Sequence, residues 1–290
     1  MTDSKVSVRS IVVTGGGRRF RVHAFGRADS ERPALLALHG FTGSGLDMEV
    51  TAPWLLRPVL APDLPGHGET PADPDDRGPA FDRVVAELNG LAGAGALWDP
   101  APAPERLPLL GYSMGGRVAL GMALEAPQRF SALILVSASP GIAEAPARLV
   151  RAQADEALAQ HVLRVGARQF ATEWAAQPLI RTQARVAAPY GEAMSARRAA
   201  NDPRGLAASL RGVGTGRMPP LHQRLAELSL PVLLVTGGDD ARYASEAEAM
   251  ARALPAAMHV WIPGAGHAPH LEAPQATADA VEAFLEATGH

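Results

Sequence analysis

The chain has 290 residues, of which 47% are hydrophobic and 20% are charged, and it contains no cysteine. This length allows one large domain or two small ones, and the lack of cysteine excludes disulfides, zinc–thiolate sites and a thiol nucleophile. The polar segment from Met1 to Lys5 precedes no apolar run, and no run approaches the ~20 residues of a membrane helix. We therefore expect a soluble cytoplasmic protein without membrane insertion.

Basic residues are unevenly distributed along the chain. The net charge is −3, and Lys5 is the only lysine beside 26 arginines, a total typical of a GC-rich genome. Their position is less ordinary: from Arg148 to Arg217, eleven arginines meet five acids, a net charge of +6. The rest of the chain carries −9. A basic segment in an acidic protein indicates an anionic ligand, and the negative total favours a small molecule over nucleic acid.

Short aliphatic runs alternate with helical stretches over much of the chain. We predict strands over 6–13, 19–24, 34–38, 59–62, 107–110, 132–136, 232–236 and 258–262. Helices are predicted over 114–125, 243–253 and 274–287. The later strands are continuous apolar runs, as in a parallel sheet covered on both faces. This order predicts an α/β fold with a mostly parallel, doubly wound sheet of about eight strands.

The alternation stops between residues 141 and 220. This stretch is rich in alanine and arginine, has helical character and contains no convincing strand. Because it separates two predicted core strands, we predict a helical lid inserted within a single domain that spans residues 1–290. The lid coincides with the basic segment.

The strongest motif is Gly111-Tyr112-Ser113-Met114-Gly115, between a predicted strand and a predicted helix. A sharp strand-to-helix turn exposes a serine hydroxyl at a helix N-terminus, and the flanking glycines relieve crowding there. The alternative is a purely structural turn. The motif predicts Ser113 as a catalytic residue.

A nucleophile elbow of this kind requires an acid and then a histidine further along the chain. Asp240 and His267 follow the last two predicted strands, where ligands of open α/β sheets bind. Asp239 is the rival acid and is expected to be a solvated turn residue. His67 is expected to be structural. Histidines outside motifs are expected at the surface: His23, His161, His222, His259 and His290.

An oxyanion hole needs two backbone N–H donors. Met114 directly follows the serine and supplies one candidate. The loop His39-Gly40-Phe41, after the third predicted strand, supplies the other through the N–H of Phe41.

These motifs together resemble the α/β-hydrolase superfamily over nearly the whole chain. Within it, the sequence is most similar to the family of 2-succinyl-6-hydroxy-2,4-cyclohexadiene-1-carboxylate (SHCHC) synthases of menaquinone biosynthesis. Segments that carry the resemblance are His39-Gly-Phe-Thr-Gly-Ser44, Asp63-Leu-Pro-Gly-His-Gly68, Gly111-Tyr-Ser-Met-Gly-Gly-Arg117, Ser139-Pro-Gly141, Arg148-x-x-Arg151, Phe170-x-x-x-Trp174, Ser209-Leu-Arg-Gly-Val-Gly-Thr-Gly216 and Gly266-His-x-x-His-x-Glu272.

The resemblance implies a lyase that removes a proton alpha to a succinyl ketone and expels pyruvate, without a metal or other cofactor. Its substrate carries three carboxylates, which guanidinium groups bind bidentately. Arg117 lies one helical turn after Ser113, and Arg151 and Arg198 belong to the predicted lid. Arg197 is a rival for Arg198. Tyr112 and Trp174 are implied to form pocket walls, with core packing as the alternative for Trp174.

Two other functions are compatible with the same motifs. A serine hydrolase of the same fold, either a carboxylesterase or a carbon–carbon bond hydrolase, could use the same triad through an acyl-enzyme or gem-diol route. A receptor that keeps the fold without catalysis is disfavoured by the intact triad and oxyanion loops. The sequence does not fix the oligomeric state.

Overall fold

The computed structural model describes residues 7–26, 31–73, 80–98 and 104–289. Its strands are β1 (Ser7–Gly15), β2 (Arg18–Gly26), β3 (Leu35–Leu38), β4 (Val59–Pro62), β5 (Leu107–Tyr112), β6 (Phe130–Val136), β7 (Val232–Gly237) and β8 (Ala257–Ile262). Its α-helices are α1 (Phe81–Ala92), α2 (Met114–Glu125), α3 (Ala145–Ala175), α4 (Ala188–Ala199), α5 (Pro203–Val213), α6 (Ala241–Ala253), α7 (Pro269–Glu272) and α8 (Pro274–Ala287). Every predicted strand has a counterpart among these elements.

The strands form one sheet in the order β1-β2-β4-β3-β5-β6-β7-β8. β1 pairs antiparallel with β2, and β2 with β4, whereas the remaining pairs are parallel. The predicted mostly parallel α/β sheet is thus confirmed. Because parallel strands end at the same edge, the turns that follow β3, β5, β7 and β8 lie side by side.

The sheet is buried on both faces, as the continuous apolar runs predicted. Residues of β3, β4, β5, β6 and β7 are buried throughout. One apolar cluster joins the sheet to α1, α2 and α6, and a second joins the opposite face to α8. Burial of this kind stabilises the scaffold by roughly 25 cal/mol for each Å² of apolar surface removed from water.

Two helix boundaries have local causes. α6 begins at Ala241, two residues before the predicted start, because the Asp240 side chain caps it by accepting the Tyr243 N–H. α8 matches its predicted span. Its start follows the rule that proline is tolerated in the first turn of a helix, where Pro274 stands.

Between β6 and β7 the chain forms α3, α4 and α5, and no strand occurs there. We call residues 145–213 the helical cover. α3 contains a kink at Gly166, where the backbone has φ 79° and ψ 161°, a conformation that essentially only glycine adopts. α3 and α5 pack through an apolar cluster that includes Val162, Phe170 and Leu206.

Some expectations are corrected or fall outside the described residues. His23 is buried, not at the surface, because its ring bridges the Ser10 hydroxyl and the Asp63 carboxylate between β1, β2 and β4. Met1 to Lys5, on which the cytoplasmic expectation rests, and His290 lie outside the described residues. Among the described helices, none combines the length and apolarity that a bilayer span requires.

Candidate active site

Ser113 stands at a strained turn between β5 and α2. Its backbone has φ 50° and ψ −109°, a conformation uncommon for a residue with a side chain. Glycine is required nearby because a Cβ at Gly111 would lie 2.5 Å from the Gly115 carbonyl oxygen. A Cβ at Gly115 would lie 2.4 Å from the His39 carbonyl oxygen. The turn thus depends on the two glycines of the motif and lifts the serine above the sheet edge.

Ser113, His267 and Asp240 are joined by hydrogen bonds. The Ser113 Oγ lies 3.1 Å from His267 Nε2, and His267 Nδ1 lies 2.8 Å from Asp240 Oδ2. Asp240 and His267 are both buried. With Nδ1–H directed to the carboxylate, Nε2 is free to accept the serine proton. The arrangement therefore has the geometry of a nucleophile or base activated by an oriented imidazole.

Asp239, the rival acid, lies elsewhere. It is exposed, and its carboxylate pairs with Arg185 Nη1 at 2.6 Å. The structure brings Asp240 and not Asp239 to His267, because Asp240 points inward as the N-cap of α6.

His39 fixes the loop that carries Phe41. The Leu64 N–H donates to His39 Nε2 at 2.9 Å, so the ring proton resides on Nδ1, which donates to the Gly40 carbonyl at 2.8 Å. Burial lowers the pKa of His39 and so favours its neutral form. In a trans peptide the carbonyl and the next N–H point in opposite directions. The Phe41 N–H is therefore held away from His39.

Met114 is buried and is the first residue of α2, so its N–H has no acceptor within the helix. Phe41 and Met114 both line the cavity that contains Ser113. Their two N–H groups are suited to bind an oxyanion there.

The cavity has a volume of about 120 Å³ and is bounded by the sheet edge on one side and the helical cover on the other. Arg117 lines it, one turn after Ser113. Its Nη1 donates to the carbonyl of Val213, at the end of α5, at 2.8 Å. Burial lowers the pKa of Arg117 to about 10, which leaves the guanidinium charged at neutral pH.

Two arginines of the helical cover also line the cavity. Arg151 donates its Nε to Asp155 at 2.7 Å, and Arg198 donates Nη2 to the Gln183 amide oxygen at 2.6 Å. Arg197 instead pairs with Asp47 and Glu49 at 3.0 Å and 2.8 Å. The structure therefore places Arg198, and not Arg197, at the cavity.

Aromatic side chains form much of the remaining wall. The Tyr112 ring lies 5.4 Å from the His267 ring, and its hydroxyl accepts a hydrogen bond from Gln183 Nε2 at 3.1 Å. Trp174 lines the cavity and also packs edge-on against Phe41, with ring centroids 5.2 Å apart. Trp174 thus contributes both to the wall and to the packing of the helical cover.

His67 packs against the loop that carries Phe41, and its Nδ1 lies 3.3 Å from the Pro65 carbonyl oxygen. Its ring packs against those of His39 and Phe41, and burial lowers its pKa to about 3. This placement fits the structural role expected for it.

Cavity residues that escaped the sequence reasoning include Gln183, Arg242, Tyr243 and His270. A signal existed for Arg242 and Tyr243, because they directly follow the triad acid in the first turn of the helix that it caps. His270 belongs to a motif of the resemblance, but no role follows from its spacing. Gln183 lies in a short 3₁₀ helix (Arg181–Arg185) that no local pattern marks as part of a site.

No group of three or more histidine, aspartate or glutamate side chains within the described ranges converges as a metal site would require. The polar side chains of the cavity include a triad suited to proton transfer and arginines suited to binding carboxylates.

Comparisons with known proteins agree with this geometry. The family model described as the alpha/beta hydrolase fold matches residues 33–274. A Bacillus subtilis (strain 168) protein, to which the name 2-succinyl-6-hydroxy-2,4-cyclohexadiene-1-carboxylate synthase is provisionally given, is 34% identical over 94% of this chain and 97% of its own length. The chain belongs to the SHCHC synthase family of the α/β-hydrolase fold.

Two further relatives fit this family. The SHCHC synthase of Serratia proteamaculans (strain 568) is 30% identical, with 89% of this chain and 95% of that protein covered. The solved structure of MenH from S. aureus superposes with a TM-score of 0.83 at 30% identity, covering 93% of this chain and 99% of the other. Its similarity extends across the sheet and the helical cover, because so little of either chain is left out.

Proposed function

We propose that this protein is an SHCHC synthase, a carbon–oxygen lyase of menaquinone biosynthesis. Its substrate would be 2-succinyl-5-enolpyruvyl-6-hydroxy-3-cyclohexene-1-carboxylate, and its products SHCHC and pyruvate. The proposal includes a single domain over residues 1–290, a lid over residues 141–220 and a cytoplasmic location. The names of its relatives and the chemistry of the cavity support it.

One observation carries the proposal most strongly. Arg117 lies inside the cavity beside Ser113, and among the described residues it has no carboxylate partner, only a carbonyl and a thioether. Burying an unpaired guanidinium is costly, and the cost is offset when a ligand supplies the anion. An enzyme for neutral esters gains nothing from this arrangement.

The proposed reaction begins with removal of the proton alpha to the succinyl ketone. His267, oriented by Asp240, accepts the proton of the Ser113 hydroxyl while the serine oxygen takes the substrate proton. The electron pair released from the C–H bond forms an enolate at the ketone. The Phe41 and Met114 N–H groups bind the enolate oxygen, as an oxyanion hole binds a tetrahedral intermediate.

The enolate then collapses to the diene. Its electron pair moves through the ring double bond and breaks the carbon–oxygen bond to the enolpyruvyl group. The departing enolpyruvate takes up the proton held by His267 and becomes pyruvate, so atoms and charge balance. Ser113 forms no acyl-enzyme in this scheme, and Arg117, Arg151 and Arg198 hold carboxylates in place throughout.

The alternative is a serine hydrolase of the same fold. The same triad and oxyanion donors would serve ester hydrolysis, so the catalytic residues do not separate the two reactions. The arginines do, because they favour a substrate with several carboxylates.

The direct test is to incubate the purified protein with the enolpyruvyl cyclohexene substrate and measure pyruvate and the diene together. We expect equal amounts of both. Arg117→Ala should lower kcat/KM by about 10²- to 10³-fold, because a carboxylate is left buried without its partner. The kcat/KM of Arg117→Lys should fall between those of the wild-type protein and Arg117→Ala. Rapid hydrolysis of p-nitrophenyl esters without pyruvate release would overturn the proposal.

A further inference from the structure

Arg242 stands at the boundary between the cavity and solvent. It lines the cavity with Ser113 and His267, yet its side chain is exposed. It occupies the second position of α6, two residues after Asp240. Its guanidinium carbon lies 5.7 Å from the ring centroid of Tyr243, whose ring in turn lies 4.5 Å from that of His267. Arg242 therefore lies at the mouth of the cavity, and the Tyr243 ring packs between it and His267 of the triad.

A cation at this point of a helix is electrostatically unfavourable. The N-terminus of a helix carries a partial positive charge, which disfavours basic side chains in the first turn. The first turn of α6 contains no acidic residue, and within the described part of the chain no carboxylate pairs with Arg242. The acid at this end of α6, the Asp240 N-cap, is paired with His267, and the one ring contact given for Arg242 is with Tyr243. A cation in the first turn without a carboxylate partner departs from local preference, and such departures often mark functional positions.

The other arginines of the cavity are partly engaged already. Arg151 holds Asp155, and Arg198 holds the Gln183 amide. Arg117 contacts the carbonyl of Val213. The proposed substrate carries three carboxylates at different ends, whereas these three arginines lie under the helical cover or at its junction with α2. Arg242 adds a fourth guanidinium on the sheet side of the cavity, where it could share or take over the carboxylate at the outer end of a bound substrate.

We propose that Arg242 binds the outermost carboxylate of the substrate, with its guanidinium held over the Tyr243 ring. The assignment rests on the proposed function for the identity of the substrate. The planar guanidinium suits a bidentate carboxylate contact, and stacking on an aromatic ring restricts its orientation in advance. Arg242 would thus help to set specificity for a tricarboxylate while the triad performs the chemistry.

The chain offers a matched control on the same helix. Arg252 is exposed, lies in the last turn of α6 and has no ion pair among the residues that the structure describes. Arg242→Ala should raise KM for pyruvate release by roughly tenfold to hundredfold with kcat little changed, whereas Arg252→Ala should leave both unchanged. The KM of Arg242→Lys should lie between those of the wild-type protein and Arg242→Ala, because lysine keeps the charge but cannot make the bidentate contact of a guanidinium.

Monomethyl esters of the substrate test the contact itself. If Arg242 binds one carboxylate, the ratio of kcat/KM between wild type and Arg242→Ala should approach one for a single ester and stay large for the other two. Equal ratios for all three esters, or an Arg242→Ala variant that behaves as Arg252→Ala does, would overturn the inference. An effect of Arg242→Ala that disappears at high salt would also overturn it, because long-range steering is screened whereas a direct contact largely persists.

A binding measurement separates this inference from the proposed function. Cyclohexane-1,2,4-tricarboxylate should bind the wild-type protein and Arg252→Ala equally in calorimetry, and Arg242→Ala roughly tenfold more weakly. If the tricarboxylate binds Arg242→Ala more weakly but the wild-type protein releases no pyruvate, the role of Arg242 in carboxylate binding is supported and the synthase function is refuted. Pyruvate release with unchanged tricarboxylate binding would refute only the role of Arg242.

Discussion

The sheet edge and the helical cover meet at one cavity but are built in different ways. At the sheet edge, short turns hold Ser113, Asp240 and His267, and their geometry depends on backbone constraints such as the close approach at Gly115. The cover contributes Arg151 and Arg198 on long helices, fixed by side-chain partners in the cover itself. The comparison teaches that the reactive groups all come from the sheet edge, whereas the arginines proposed for recognition are divided between Arg117 on α2 and the two of the cover. A triad on this fold serves many different hydrolases, so we expect the arginines, and those of the cover in particular, to set the choice of substrate.

The largest expected effect comes from the sheet edge. Ser113→Ala should lower the rate of pyruvate release by about 10²- to 10⁴-fold, because a positioned proton-transfer group is lost. KM should change little, since no arginine is disturbed. Ser195→Ala, an exposed serine on α4, is the control and should retain full activity.

The same prediction has a chemical counterpart in the wild-type protein. Mass spectrometry during turnover should find no covalent adduct on Ser113. A trapped acyl-serine on the physiological substrate would mean that the two regions cooperate in a hydrolase and not in a lyase.

A pair of neighbouring arginines tests the cover. Arg198→Ala should raise KM by roughly tenfold to hundredfold, because it removes a charged hydrogen-bond donor from the cavity. Arg197→Ala should leave KM near the wild-type value, since Arg197 pairs with Asp47 and Glu49. Steady-state kinetics of both variants decide the matter. The reverse pattern would mean that Arg197, and not Arg198, contacts the substrate.

Substitution of Gly166 tests whether the kink in α3 of the cover matters for stability and substrate binding. Gly166→Ala should lower the free energy of unfolding by about 1–3 kcal/mol, because alanine is strained at this backbone conformation. It should also raise KM several-fold without a comparable loss of kcat. Gly289 has a similar φ of 82° and open surroundings but lies outside the cover. Gly289→Ala should leave KM unchanged, and an equal KM for both variants would contradict a role of the kink in substrate binding.

The smallest effect concerns acid stability at the sheet edge. Burial lowers the pKa values of His67 and His270 from 6.5 to about 3, so below pH 6.5 the unfolded chain binds protons that the folded chain does not. The free energy of unfolding should therefore fall between pH 6.5 and pH 3. By pH 5.5 each histidine should account for about 1.4 kcal/mol of the loss.

Replacement of one of these histidines checks the assignment. His270→Phe keeps a ring against Tyr112 and removes one titrating group. In urea titrations at pH 7.5 and pH 5.5, it should show a correspondingly smaller loss of stability than the wild-type protein. An unchanged pH dependence would mean that the buried imidazole is protonated in the folded state as readily as in the unfolded one.

The sequence predicted the sheet well because its signals are local. Continuous apolar runs mark buried strands, and the glycines around Ser113 mark a turn that few other residues allow. Positions of Asp240 and His267 followed from the order of the strands. By contrast, the burial of His23 depends on its contact with Asp63, forty residues away along the chain, which no local pattern reveals.

The helical cover was predictable only in outline. Its charge and helical composition are visible in the sequence, but the partners of its arginines are set by packing between distant elements. Gln183 joins Tyr112 of β5 to Arg198 of α4, and the choice between Arg197 and Arg198 depends on which one meets Asp47. These contacts follow from tertiary structure and not from local sequence preference.

Turnover in water enriched in ¹⁸O tests most directly whether the two regions together perform elimination. The enolpyruvyl cyclohexene substrate would be consumed by the wild-type protein, and the ring product analysed by mass spectrometry. We expect the diene, formed in the same amount as pyruvate and without ¹⁸O in the ring. A ring alcohol formed in place of the diene, whether it keeps the original ether oxygen or carries ¹⁸O at that carbon, would show hydrolysis and would contradict the synthase.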